Sequence, residues 1–367
     1  MLRSLLVAFV LALPLLSSAS AEDPLELLWG RRHGFAADGS PQVTVRIDEG
    51  KSEIAIVPKV ATRIAAGTGK TLKAAAGSTW RFRVKDGVPA KLLYAPQVAD
   101  FRVRDREAAL ESLDLWKSRG FDARAAIVGG IYGFGGRVID NRRYAILLAA
   151  PADRAGAERL AGDAQSRFGA VASLFEEIEQ RPTGIVEVID PAGKVVARAR
   201  GIAVVEPEGA GGIAVLRVEH DIGYAGQGRE DRTYRGRIFV TVDASGKTAA
   251  VGVLPMEELV RGIVPSEIFA SAHPEALQAQ AVAARGEVLA KIGVRHRADP
   301  WLLCAEQHCQ VYKGLSGEHP RTDEAIAASR GEALFGHGGY LVDSVYSSTC
   351  GGHTEDNEVV WGTPPDP

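Results

Sequence analysis

Apolar and polar residues alternate strictly in three early stretches, VTVRI (Val43 to Ile47), EIAIV (Glu53 to Val57) and WRFRV (Trp80 to Val84), separated by glycine-containing turns. A period of two puts one face of an extended chain in a core and the other in water, so half-buried strands are predicted. Among them AAGTGKT (Ala65 to Thr71) has the ending of a phosphate-binding loop, but the glycine required five positions before Gly69 is replaced by Ile64. The stretch is therefore read as a turn, and no nucleotide cofactor is expected.

From about Ala99 the period changes. REAALESLDLWKSRG sets Leu110, Leu113 and Trp116 on one helical face and stops at Gly120; ADRAGAERLAGDAQSRFG does the same with Ala157, Leu160, Ala161, Ala164 and Phe168 before Gly169. Strands are predicted near Phe101, over Ala123 to Gly129, Arg143 to Ala149 and Val171 to Ile178. Two helices on one face of a four-stranded antiparallel sheet follow, a small α/β sandwich. This order resembles the SPOR domain, a module that binds peptidoglycan glycan strands; a ferredoxin-like spacer satisfies the same pattern.

Alternation returns in RPTGIVEVIDPAGKVVARA, with Pro191-Ala192-Gly193 as its hairpin turn, and continues through YRGRIFVTVDASGKTAAVGVLP. A helix is predicted from Pro274 to Lys291, with proline where a missing N–H is harmless and a narrow stripe of Leu277, Ala281, Ala284 and Val288. Alanine lets other backbone approach, which places this helix inside the protein. The fold class is α+β, with the strands before Ala99 and after Gln180 read as one strand-rich unit interrupted by the sandwich. The expected division is a leader over 1–21, a β segment over 22–98, the SPOR-like module over 99–182 and a C-terminal domain over 183–367.

Composition adds a location. The first residues have a cationic end at Arg3, an apolar run from Leu5 to Leu16 and the small-residue pattern Ala19-Ser20-Ala21, the layout of an export signal cut after Ala21. No later stretch approaches the ~18 apolar residues of a membrane helix. Loss of Arg3 takes the formal charge from −3 to −4, a mild balance that gives no support to nucleic-acid or anionic-membrane binding. An exported protein of the periplasm, wall or extracellular space is expected. All three cysteines, Cys304, Cys309 and Cys350, lie in the last fifth of the chain, so most of it is no disulfide scaffold.

Glu267 stands ahead of the alanine-rich helix in VPSEIF, where Ile268 and Phe269 are expected to shield it from water. Such a carboxyl has its charged form disfavoured, as a general acid at neutral pH requires. Cys304, His308 and Cys309 in CAEQHCQVY, and Cys350 and His353 in STCGGHTED, offer sulfur and imidazole for one zinc ion. A disulfide from Cys309 to Cys350 or to Cys304 is the alternative, and a cysteine paired with His308 or His353 as a peptidase nucleophile is a third. Gln310 to Tyr312 is expected to start a strand.

Taken together, EELVRGIVPSEIFASAHPEALQAQAVAARGEVL, CAEQHCQVYKG, AIAASRGEALFGHGGYLVDSVYSSTCGGHTED and VVWG closely resemble the SpoIID/LytB family of cell-wall proteins over Tyr234 to Gly362. The resemblance implies a lytic transglycosylase acting on peptide-stripped glycan strands, with Glu267 catalytic, and zinc held through the histidine and cysteine of HCQVY. Gln280, Arg285, Tyr312 and Tyr346 fall in its motifs as sugar contacts. Glu355 and Asp356 are the candidates for a second carboxylate, which a hydrolase would need. The LytB branch implies another role, a non-catalytic enhancer of a cell-wall amidase. Ile268 and Phe269 depart from the family's Met-Pro, and the ending WGTPPDP stops where relatives continue, so a final strand is expected to be missing.

Overall fold

The computed structural model describes residues 23–355 except 31–33, 37–38, 68–70 and 348. The leader over 1–21, Asp356 and the VVWG stretch lie outside the described residues. The fold is mixed α+β with several sheets.

The alternating stretches form two large sheets, and each takes strands from both ends of the chain. The seven-stranded sheet runs in the order Leu303–Cys304, Gln42–Lys51, Thr248–Pro255, Arg237–Val242, Ile202–Pro207, Thr62–Ala66, Thr71–Ala74. The six-stranded sheet runs Val195–Arg200, Thr183–Ile189, Trp80–Val88, Ile54–Pro58, Ile213–His220, Gly228–Tyr234. Their inward residues, among them Val45, Ile56, Ile64, Phe82, Val186, Val215 and Val240, are buried in one core. Period-two patterning thus buries one face of each sheet.

The segment between them forms a four-stranded antiparallel sheet in the order Ser173–Gln180, Lys91–Arg102, Arg143–Leu147, Arg124–Val128. Helices Arg106–Ser118 and Arg154–Phe168 pack on it through Ala109, Trp116, Leu160 and Ala164. Trp116 meets Phe121 edge-on at 5.4 Å. Leu110 is exposed, because Ala109 takes the inward position beside Trp116. The other face of this sheet is also covered: Val294 packs on Ala95, Ala145, Leu147 and Phe175, and the Arg297 guanidinium lies 3.7 Å from the Phe175 ring centroid. A hairpin, Ile131–Phe134 with Arg137–Asp140, was not anticipated from the sequence; it sends Tyr132, Phe134 and Ile139 into the main core.

Three helices close the C-terminal part: Met256–Glu267, Pro274–Lys291 and Pro320–Ala328. The predicted stripe of Leu277, Ala281, Ala284 and Val288 is fully buried. Close approach explains the small residues. A Cβ on Gly286 would meet Ser344 Oγ at 2.1 Å, and one on Gly262 would meet the Tyr312 ring at 2.4 Å. Arg285 is 0% exposed and joins all three helices, donating to Glu257 twice at 2.9 Å, to Ser329 Oγ at 3.1 Å and to the Ile326 carbonyl at 2.8 Å. Glu257→Ala would strand this guanidinium in the core, and is expected to lower unfolding stability in denaturant titrations by about 3 to 5 kcal/mol.

Candidate functional site

Glu267 is the last residue of the helix Met256–Glu267 rather than part of a free turn. Leu259, Val260, Ile263 and Val264 recur at helical spacing and are buried, so packing carries the helix through Pro265. Ile268 then turns extended, which leaves the Glu267 carboxyl at the carbonyl end of a helix. That end disfavours negative charge. Ile268 packs against the core as expected, whereas Phe269 is 86% exposed and shields nothing. The Glu267 side chain is open to solvent on one side, yet its pKa is raised, first by desolvation of the carboxyl and then by the nearby charge of Glu287; Lys291 and Lys313 pull the other way.

Glu287 and Lys291 are 4% and 8% exposed and pair one helical turn apart. Lys291 Nζ also donates to the Cys309 carbonyl at 2.9 Å, tying the alanine-rich helix to the cysteine loop. These two charges were missed in the sequence; their spacing of four on a helix otherwise poor in charge was the available signal. Tyr346 donates to Gln310 Oε1 at 2.5 Å, and its pKa is raised by burial and by the charge of Glu267. Ser344 holds this segment by donating to the Ala283 carbonyl at 2.9 Å. Gln280 is partly buried on the same helix.

Two of the expected sugar contacts sit elsewhere. Arg285 is sealed among helices, and Tyr312 is 1% exposed with its ring 5.6 Å from that of Tyr234. Neither has surface to offer. Residues 310–312 form no strand: Tyr312 N–H donates to the Ala305 carbonyl at 3.3 Å, folding the loop back.

The cysteine loop builds a second cluster. Leu303–Cys304 pairs in parallel with Val45 and Arg46 at the edge of the large sheet, fixing Cys304, and a tight turn brings back His308 and Cys309. They meet His296, which the sequence reading did not select, and the four donor atoms lie within 4.8 Å of one another. Cys309 Sγ is 3.3 Å from His296 Nε2, which is 3.3 Å from His308 Nδ1; both sulfurs are 3.8 Å from His308 Nδ1. A tetrahedral zinc with ordinary Zn–S and Zn–N bonds separates its donors by about 3.3 to 3.8 Å. The cluster fits a metal ion of that kind. His296 Nδ1 is 2.9 Å from Asp299 Oδ2, an arrangement that orients a ligating imidazole. The Cys304 thiol is pushed down, chiefly by the hydrogen bond from Cys309 and then by both imidazoles, while Cys309 is pushed up by its bond to Cys304 and by burial.

Cys350 and His353 lie outside this group. Cys350 is an exposed free thiol, and exposed His353 faces Glu355 at 3.5 Å. Cys304 and Cys309 are free and buried, so no disulfide joins the three.

The family model for the stage II sporulation protein SpoIID matches residues 244–335, a span that holds Glu267 and the whole cysteine-histidine cluster. The chain is 35% identical over 104 residues to an amidase enhancer of Bacillus subtilis, covering 28% of this chain and 14% of that protein. It is 33% identical over 123 residues to stage II sporulation protein D of Bacillus subtilis, 29% of this chain and 35% of that protein. An uncharacterized protein of Brachyspira hyodysenteriae is 32% identical over 112 residues, 30% of each chain. The matches thus span about a third or less of these relatives.

Denatured protein is expected to titrate three free thiols. In native protein an alkylating reagent should modify Cys350 first, and, where the protein has been loaded with zinc, a strong chelator is expected to expose Cys304 and Cys309 and lower the thermal midpoint together. A single titratable thiol would instead mean a disulfide.

Proposed function

We propose that this chain, homologous to SpoIID/LytB family and amidase enhancer proteins, works on cell-wall peptidoglycan as a lytic transglycosylase of peptide-stripped glycan strands. The observation that carries the reading is Glu267: one carboxyl with a raised pKa, at a helix end, inside the stretch matched to the SpoIID model. In the protonated form it gives its proton to the bridging oxygen as the C1–O bond of the muramoyl residue breaks. The resulting carboxylate then takes the proton from the 6-hydroxyl, whose oxygen closes onto C1 as an anhydro ring. The proton returns to Glu267, so no second carboxylate is required. Tyr346, which feels the Glu267 charge, and Gln280, whose side-chain amide acts on Tyr346, are assigned to sugar contact, and Lys313, whose charge acts on Glu267, to the same region; Arg285 and Tyr312 are assigned to holding the helices and loop beneath.

His296, Cys304, His308 and Cys309 are assigned to one structural zinc. A four-ligand thiolate-imidazole site is closed and, when occupied, supplies loop order rather than an activated water. We assign 22–98 and 183–367 to one strand-rich unit interrupted by 99–182, a division supported by the two large sheets that take strands from both ends of the chain. The inserted segment is assigned to a SPOR-like module whose expected strand, helix, strand, strand, helix, strand order is extended here by the hairpin Ile131–Phe134 with Arg137–Asp140. Because Val294 and Arg297 occupy the sheet face away from its helices, the glycan is assigned to the exposed Glu267 carboxyl and not to that face. The leader over 1–21 directs export.

A second reading, enhancement of a partner amidase without cleavage, is favoured by the identity to the amidase enhancer. Mass analysis of products from peptide-free glycan strands separates the two. Anhydro-muramyl ends support the transglycosylase; reducing ends indicate a hydrolase; bound but uncut strands leave the enhancer. Glu267→Gln is expected to fold, bind glycan and lose cleavage at least about a hundredfold. Since the active form carries the proton and the pKa is raised, cleavage by the wild type should hold below that pKa and fall as pH rises through it, a limb that Glu267→Gln lacks.

A further inference from the structure

The helix Pro274–Lys291 ends deep in the protein, where water cannot satisfy its last carbonyls. Leu289 and Ile292 are completely buried. Helices leave their final C=O groups without internal partners, and a buried end must find them elsewhere. The Lys291 carbonyl accepts from the Val294 and Arg295 N–H groups, both at 3.1 Å. The others are met from a distant stretch of sequence. Asn141 Nδ2 donates to the Leu289 and Ile292 carbonyls at 2.8 Å each and reaches the Ala290 carbonyl at 3.4 Å, while the Tyr132 hydroxyl also donates to Leu289. Asn141 is itself held, its Oδ1 accepting from Gly130 N–H at 2.8 Å. Beside it Gly129 N–H donates to the Gly293 carbonyl at 3.0 Å, and a Cβ on Gly129 would lie 2.7 Å from both the Asn141 carbonyl and its Oδ1.

The chain held this way leads directly to the cysteine-histidine cluster. His296 comes four residues after Ile292 and has φ +51°, a left-handed conformation uncommon for a residue with a side chain. We propose that Asn141 is a positioning residue for His296: by closing the carbonyl end of the helix it fixes where the chain leaves it, and so where His296 presents Nε2 to Cys309 and His308. The inserted segment, through Asn141, thereby sets the metal affinity of a site to which it gives no ligand. The inference rests on the metal-centre reading above.

The test uses the full chain and zinc itself. Asn141→Ala and Asn141→Asp are compared with Asp153→Ala, which removes the cap of the helix Arg154–Phe168 and its 2.7 Å bond from Gly156 N–H but touches nothing near the cluster. Zinc affinity is read by competition with a chromophoric chelator, and amide exchange is followed over residues 290–298. Both Asn141 variants are expected to speed that exchange and weaken zinc by about ten- to a hundredfold, the range for losing a group that orients a ligand. The aspartate should be at least as damaging, since it turns a second oxygen toward the same carbonyls. Asp153→Ala should lower the unfolding midpoint yet keep zinc affinity within about twofold. Zinc affinity unchanged in Asn141→Ala, or weakened as much by Asp153→Ala, overturns the assignment while leaving the metal centre standing. A wild-type protein that takes up neither zinc nor cobalt overturns both.

Discussion

The C-terminal part of this protein is organised around a guanidinium that no water reaches. Arg285 costs a great deal to bury unless each donor is met, and the groups that meet it come from three helices: Glu257 from one, Ser329 and the Ile326 carbonyl from beside another, with Arg285 on the third. Bidentate geometry leaves these helices little freedom to slide. Glu267 stands at the end of the helix that carries Glu257, ten residues on and rigidly connected to it. The position of the candidate acid is therefore decided by a buried pair that itself never meets solvent.

The same helix, Pro274–Lys291, carries three different constraints along its length. Its small residues admit Ser344 and the segment bearing Tyr346; its middle holds Arg285; its last turn holds Glu287, Lys291 and the exit toward His296. Lys291 reaches both a carboxylate that raises the Glu267 pKa and the carbonyl of a cluster cysteine. Acid and cluster are thus linked by one side chain.

The segment over 99–182 packs firmly on the rest of the chain. Both faces of its sheet are covered, its hairpin is part of the main core, and Arg102 and Arg104 stack on the Tyr340 ring at 4.5 and 3.5 Å, holding the loop that leads to Tyr346. An α/β sandwich that bound glycan by its open sheet face would need that face free.

Much of this was legible from local pattern. Alternation over Val43 to Ile47 and Trp80 to Val84, helical spacing through Trp116 and Ala164, Gly120 and Gly169 as stops, and the stripe Leu277-Ala281-Ala284-Val288 all depend on neighbours within a few residues, and each became the element expected. Cys304, His308 and Cys309 were legible as candidate ligands because cysteine and histidine are scarce and fall close together, and Glu267 as a candidate acid because it stands beside apolar neighbours. Partnership was not. The burial of Arg285 and Tyr312, the exposure of Phe269, Cys350 apart from Cys304, and His296 joining the cluster depend on contacts between segments whose meeting no period records. A sequence states what each residue is able to do; which groups come within 3 or 4 Å is set by sheet pairing and helix packing over the whole chain. So the sequence by itself determined the locally patterned elements and the candidate chemistry, and only the tertiary structure decided the rest of the elements and which of those groups share a site.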